Sequence, residues 1–312
     1  MDLEHVLQFL SQCAGQSQPC VLVTICAVEG SSMRNPGTIM AVAEDGSFAG
    51  SLSGGCIENA VVAEALEALK AGEPRVVRFG AGSPYLDIKL PCGGGLDIHF
   101  QPLADGEFVQ DCLAAIRARE PFAIRVGTGG VRCLAGWHKL SFDGEAGTFG
   151  HWPAPLLQII GHGAGVEALA RQAAALGCET RVLTPDERII DRLEAAGIAV
   201  RRLDRTDQTD LLTGDPWTAN IFLFHDHDWE DVLMARALEL PHFYLGAMGG
   251  RKAHERRCEA LRARGVSKEQ LAGIHAPIGL FHSSRDPQTL ALSTLAQVIR
   301  TYEETDFEAG FD

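Results

Sequence analysis

Three observations predict an α/β protein in which an N-terminal mixed α/β domain is followed by a C-terminal Rossmann-like parallel-sheet domain. After Pro155 the apolar pattern alternates strand, helix, strand, helix, which implies parallel strands joined by right-handed crossovers. The first of those strands, 156–160, runs into Gly161-His162-Gly163 and then a helix, the setting of a dinucleotide-type turn. Before Pro155 the strands are short, and glycine loops separate them without that alternation.

The N-terminal half reads as follows. Leu3, Val6, Leu7 and Leu10 share one face of a helix over 3–14. The β-branched run 20–28 is a buried strand, loop 29–37 follows it, and 38–43 is a second strand turned by Asp45-Gly46. Gly50-Ser51-Leu52-Ser53-Gly54-Gly55-Cys56 leads into a helix with a stripe of Ile57, Val61, Ala65, Leu66 and Leu69. Segments 75–79, 86–90 and 96–101 are short strands, the last two separated by Pro91-Cys92-Gly93-Gly94-Gly95. A helix over 108–119 and strands over 123–126 and 132–135 come next. The glycine-rich stretch 136–153 is expected to be the linker between domains 1–145 and 151–312.

In the C-terminal half the helix after the glycine turn spans about 164–176 and is ended by Gly177. Strand 180–183 meets Thr184-Pro185-Asp186-Glu187, read as a capping box with Thr184 as the cap and proline at the first helical position. Segments 198–200, 219–224 and 243–246 are further strands. Helices are expected over 228–240, 251–264 and 287–300, the last opened by Asp286-Pro287.

Bulk properties limit the function. The 312 residues suffice for two cores, and 46% hydrophobic with 22% charged residues is ordinary globular composition. A net charge of −14 repels phosphate backbones and anionic lipid, so neither nucleic acid nor membrane is an expected partner. No apolar run reaches the roughly 18 residues a membrane span requires, and the acidic start Met1-Asp2-Leu3-Glu4 lacks a signal peptide's basic region, so a cytoplasmic location is expected. The nine cysteines include no C-x-x-C pair, and most are expected to be small buried hydrophobes.

Five stretches carry the candidate chemistry. Gly161 and Gly163 open a helix whose free amides suit a phosphate, although Val166 replaces the third glycine and Thr184 stands where a ribose-reading carboxylate is expected. The alternative is a nucleotide-shaped turn that holds no dinucleotide. Gly54 and Gly55 admit a close ligand, and Cys56 at a helix start favours a thiolate; a merely packed cysteine is the plain alternative. Cys92 lies in a second glycine loop, which alone reads as a hairpin turn, and with Cys56 it suggests a shared soft-metal or sulfur site. His225-Asp226-His227-Asp228 follows the fourth strand at the carboxyl edge; pocket lining is favoured there over a metal site. Arg251 and Lys252 follow glycines after the last strand and suit either an anion or open solvent.

Together these residues resemble the XdhC/CoxI family. The resemblance rests on Gly30-Ser31-Ser32, Arg34, Gly37, Met40, Ser53-Gly54-Gly55-Cys56-Ile57-Glu58 and Pro91-Cys92-Gly93-Gly94 in the first half. In the second it rests on Gly161-x-Gly163, His225-Asp226-His227, Tyr244-Leu245-Gly246-x-Met248-Gly249 and His275-Ala276-Pro277-Ile278-Gly279-Leu280. It implies a non-catalytic accessory protein that holds the molybdenum cofactor (molybdopterin) while a cysteine desulfurase supplies its sulfur. The cofactor then passes to xanthine dehydrogenase or a related molybdenum hydroxylase. On this resemblance Cys56 and Cys92 face the metal. Gly54, Gly55 and Arg34 serve the phosphate or pterin, and Ser53, Gly93, Gly94, Gly161, Gly163, His225 and His227 are further cofactor-binding positions. A homodimer is the expected assembly. The alternative is an NAD(P)-dependent oxidoreductase working through the Rossmann-like half.

Overall fold

Cys20–Glu29 carries an almost unbroken run of aliphatic and β-branched residues, and in the computed structural model it is β1, the central strand of an antiparallel sheet. The structure describes residues 2–55, 57–83, 93–103, 105–224, 229–281 and 286–310. They divide into two units, Met1–Pro153 and Ala154–Asp312.

In the first unit β2 (Ile39–Ala43), β3 (Phe48–Ala49), β4 (Arg75–Gly80) and β5 (Gly95–Pro102) join β1 in the order β3-β2-β1-β5-β4. Both faces of this sheet are covered, which explains a continuous apolar run where a one-sided sheet would alternate. Leu22, Ala41 and Ala43 pack with α1 (Asp2–Gly15) and α3 (Glu107–Ala118). Val21, Val23, Ile25, Met40 and Val42 pack on the other face with α2 (Glu58–Ala71). The strand expected over 86–90 lies outside the described residues.

A second antiparallel sheet has the order β7-β6-β9-β8, from β6 (Phe122–Gly127), β7 (Gly130–Ala135), β8 (Ser141–Phe142) and β9 (Gly147–His151). This corrects the expectation of a linker over 136–153. Gly147 and Gly150 suggested a flexible segment, but both lie in β9, where a Cβ would collide with the Phe149 ring and with Trp137, respectively. They are small because neighbours crowd them. Phe149 itself is fully buried with Ile124 and Val126.

The second unit is a five-stranded parallel sheet in the Rossmann order. It comprises β10 (Leu156–Gly161), β11 (Glu179–Thr184), β12 (Ala199–Arg202), β13 (Thr218–Leu223) and β14 (Tyr244–Ala247), arranged β12-β11-β10-β13-β14. One face carries α4 (Ala164–Ala175), α5 (Glu187–Glu194) and α9 (Pro287–Glu304). The other carries α6 (Glu230–Glu239), α7 (Arg251–Ala263) and α8 (Lys268–Ala272). Asp286 caps α9 through the Thr289 amide with Pro287 at its start, as the sequence predicts.

The start of α5 differs from expectation. Its cap is Asp186, which accepts from the Arg188 amide, and not Thr184. Thr184 stays in β11 because its carbonyl accepts from Leu203 and it pairs with Arg202. The short helix α8, with a Ser267/Gln270 capping box, was not anticipated. Among the described residues no helix is long and apolar enough to cross a membrane.

Candidate functional site

Strand register collects the glycine loops of the first unit at one edge of its larger sheet. Glu29 at the end of β1 pairs with Gly95 at the start of β5, which pairs in turn with Gly80 at the end of β4. β3 runs antiparallel to β2, so Gly50 leaves the sheet beside Ile39, at the same end. Loops 30–37, 50–57 and 93–94 therefore share an edge.

Segment 29–33 touches both of the other loops. A Cβ on Gly94 would lie 2.7 Å from the carbonyl oxygens of Glu29 and of Ser31, so only glycine fits there. A Cβ on Gly54 would meet the Met33 sulfur at 3.6 Å, and Met33 is otherwise 81% exposed. Beside Gly55 and Gly93 a Cβ would meet nothing within 4 Å among the described residues, so both border open space there.

The side chain that organises loop 50–57 is Glu58, which the family motif contains but the candidate set omitted. Its Oε1 accepts from Ser51 Oγ (2.8 Å) and from the amides of Leu52 (3.2 Å) and Ser53 (3.0 Å). Its Oε2 accepts from Ser53 Oγ (2.7 Å) and from the amides of Gly55 (2.9 Å) and Ile57 (3.2 Å). Burial raises the Glu58 pKa, but hydrogen bonds from Ser53, Ser51 and Gly55 outweigh it and hold the carboxyl at about 2. The available signal was an acid at a helix start preceded by two serines and two glycines, a carboxylate folded back on its own N-terminal loop.

This geometry changes two expectations. Gly54 and Gly55 are expected to serve the phosphate or pterin, yet their amides donate to Ser51 Oγ and to Glu58. Among the described residues the amides of 52–55 and of 57 are engaged within the loop and by Glu58, and what these residues offer outward is space. The helix starts at Glu58 with Ile57 as its cap, two residues after Cys56, which weakens the dipole argument for that thiol. Cys56 and Cys92 themselves lie outside the described residues, as do His225 and His227. Arg34 is half-buried and borders a cavity of about 230 Å³ with Pro36, Gly37, Thr38 and His151. Among the described residues no group of three His, Cys, Asp or Glu side chains is arranged for a metal.

In the second unit Gly161 is required by packing: a Cβ there would lie 2.5 Å from the Leu223 carbonyl oxygen of β13. Gly163 caps α4 at φ +86° with no side-chain cap, leaving the helix start open. Val166 is buried in the core, so the third glycine position is filled by packing. Thr184 is fully buried and its hydroxyl accepts from the Asp186 amide, so no carboxylate stands at the ribose position. Arg251 is 93% exposed and pairs with Glu255 on its own helix, the solvated alternative. The Tyr244-Leu245-Gly246 and His275–Gly279 motifs form one structural joint. Tyr244 donates to Gln297 (2.8 Å), Gly279 N–H donates to the same oxygen (2.7 Å), and His275 stacks on Tyr244 at 4.6 Å.

Seven described cysteines are free thiols. Cys13, Cys20, Cys26, Cys112, Cys178 and Cys258 are buried and Cys133 is half-buried. Burial pushes Cys20 and Cys26 up to about 12, which keeps them protonated and inert.

Comparison with known proteins agrees with the two-part organisation. Residues 157–298 match the XdhC Rossmann domain, and residues 13–80 match the XdhC and CoxI family. The chain is 35% identical over 314 residues to the molybdenum cofactor insertion chaperone PaoD of Escherichia coli K12, covering 98% of this chain and 91% of that protein. It is 25% identical to the uncharacterized protein YqeB of the same organism, covering 91% of this chain but only 44% of YqeB. A crystal structure described as a xanthine dehydrogenase from Bacillus halodurans superposes with a TM-score of 0.79 at 22% identity, covering 96% of each chain, a likeness of fold. With near-full-length identity to PaoD and family matches in both halves, the chain belongs to the XdhC and CoxI family.

Proposed function

We propose that this protein holds the molybdenum cofactor at the glycine-loop edge of its N-terminal unit and delivers it to a molybdenum hydroxylase of the xanthine dehydrogenase type. Family membership and the relationship to PaoD support the cofactor class. One structural observation carries the reading: Glu29 and Ser31 lie against Gly94 and Met33 lies against Gly54, so residues 50–55 and 93–94 border the same segment. Two thiolates from these loops suit a soft metal centre. Open space beside Gly55 and Gly93 gives a bulky pterin room to approach. Glu58 fixes the amides of Gly55 and Ile57.

Ser53 contributes by binding Glu58. Arg34 is a proposed contact for the more distant part of the ligand, and Gly161, Gly163, His225 and His227 are proposed separately as cofactor-binding positions of the second unit. A cysteine desulfurase and an apo-hydroxylase are the proposed partners, and a homodimer the proposed assembly. The NAD(P)-dependent oxidoreductase reading has only the Gly161-His162-Gly163 turn in its favour and lacks an acidic ribose reader at Thr184.

The test mixes purified protein with cofactor released from a molybdenum enzyme, separates free ligand by gel filtration, and measures pterin fluorescence after oxidation. Native protein retains cofactor, and Cys56→Ser or Cys92→Ser lowers retention at least tenfold. Equal retention in all three removes the cysteine roles, and no retention by the native protein removes the reading.

A further inference from the structure

The second unit contains a cluster of arginines that the cofactor reading does not use. α6 and α7 pack on the sheet face opposite the Gly161 turn and its helix α4. Between them is a cavity of about 570 Å³ bordered by Thr206, Glu230, Asp231, Arg256, Arg257 and Arg264. Its size suits a small-molecule ligand.

Arg257 is the informative residue. Its side chain is 1% exposed and forms a two-pronged ion pair with Glu230, itself 2% exposed: Nε to Oε2 at 3.1 Å and Nη2 to Oε1 at 3.1 Å. Nη2 also donates to the Met248 carbonyl at 2.7 Å. Nη1 is buried and has no acceptor among the described residues. A charged donor kept from water without an acceptor is costly and uncommon. Here it belongs to a side chain that borders a cavity.

The surroundings favour an anion. Arg264 lines the same cavity and is held there by Asp231 at 2.7 Å. Arg256 is exposed at the rim, and no ion pair engages it among the described residues. Three guanidinium groups thus face two carboxylates, both already paired, in a chain whose overall charge is −14. The first turn of α6 borders the cavity as well and adds the positive end of its dipole. Guanidinium forks match phosphate oxygens in geometry and charge.

We propose that this cavity binds a phosphate-bearing small molecule, with the Arg257 Nη1 and the Arg256 guanidinium donating to its phosphate oxygens and Thr206 at the rim. The site lies within the second unit and does not depend on the cysteine loops.

The test uses the full-length protein and three probes at constant ionic strength: inorganic phosphate, pyrophosphate and AMP. Thermal shift and isothermal titration report binding. At least one probe stabilises the protein saturably, whereas sodium chloride of equal ionic strength does not. A response to phosphate or pyrophosphate alone assigns a free phosphate ligand; a response strongest for AMP assigns a nucleotide. Arg257→Lys retains a charge opposite Glu230 while removing Nη1, and it weakens binding at least tenfold. Arg256→Ala, on the exposed rim, weakens binding several-fold without dependence on folding of the buried pair. Arg251→Ala, exposed at the opposite end of α7 from Arg264, leaves it unchanged. Absence of binding by all three probes overturns the proposal. So does binding that Arg256→Ala and Arg257→Lys leave intact.

Discussion

Replacing Glu58 by glutamine tests the organisation of the candidate site most sharply. Among the described residues the carboxylate accepts six hydrogen bonds, four from backbone amides: Leu52 and Ser53 on one oxygen, Gly55 and Ile57 on the other. A glutamine keeps one acceptor oxygen. Whichever way its amide is turned, its NH2 faces two backbone donors that cannot rotate away. Each buried donor left unsatisfied costs about 1–3 kcal/mol. The pKa gives an independent figure: a fall from 4.5 to about 2, at about 1.4 kcal/mol per unit, corresponds to about 3 kcal/mol. The folded pKa is depressed, so this stabilisation is complete above about pH 5 and is lost as the pH falls toward 2. At pH 3 about 2 kcal/mol of it is already gone. Urea unfolding of the native protein and Glu58→Gln, with hydrogen exchange of the Gly55 and Ile57 amides, reads the effect. The expected gap is about 3 kcal/mol at pH 7 and less than half that at pH 3, with faster exchange at both amides in the variant. A gap below about 0.5 kcal/mol at pH 7, or one that does not change with pH, refutes the reasoning.

Three further outcomes follow from the packing. Arg257→Met leaves Glu230 buried without its partner and lowers stability by about 3–5 kcal/mol, while Arg257→Met with Glu230→Leu recovers most of the loss; denaturant midpoints compare the two. Gly161→Ala forces a Cβ against the Leu223 carbonyl and Gly163→Ala strains a backbone at φ +86°, ψ −179°. Each costs about 1–3 kcal/mol in a thermal melt. His99 is 2% exposed, and burial lowers its pKa from 6.5 to about 4, so the unfolded chain takes up the proton first as pH falls. Stability is full above pH 6.5 and declines by about 3 kcal/mol through this group as pH falls to 4. His99→Leu removes that part of the slope in unfolding measured at pH 7, 5.5 and 4.5.

The parallel sheet was legible because burial and period coincide: β10 is apolar throughout, and a glycine turn followed by a helix can be read locally. β9 was not legible, because Gly147 and Gly150 resemble loop residues until the Trp137 and Phe149 rings that crowd them are in place. Thr184 deceived for a related reason. Its sequence is that of a cap, but pairing with β12 retains it in the strand and moves the cap to Asp186. At the candidate site the glycines were visible and their task was misread. Donor counting from sequence cannot reveal that Glu58 turns back onto the preceding loop and occupies amides that an open helix start would offer to a ligand. The Arg257–Glu230 pair joins positions 27 residues apart on different helices, which no local pattern records.

Cysteine footprinting measures the central claim directly. Alkylation rates of individual thiols are followed by mass spectrometry in the free protein and after loading with molybdenum cofactor. The account predicts that Cys56 and Cys92 react readily in the free protein and lose reactivity together as cofactor binds, while half-buried Cys133 keeps its rate. Stoichiometric cofactor with unchanged rates at Cys56 and Cys92 contradicts it.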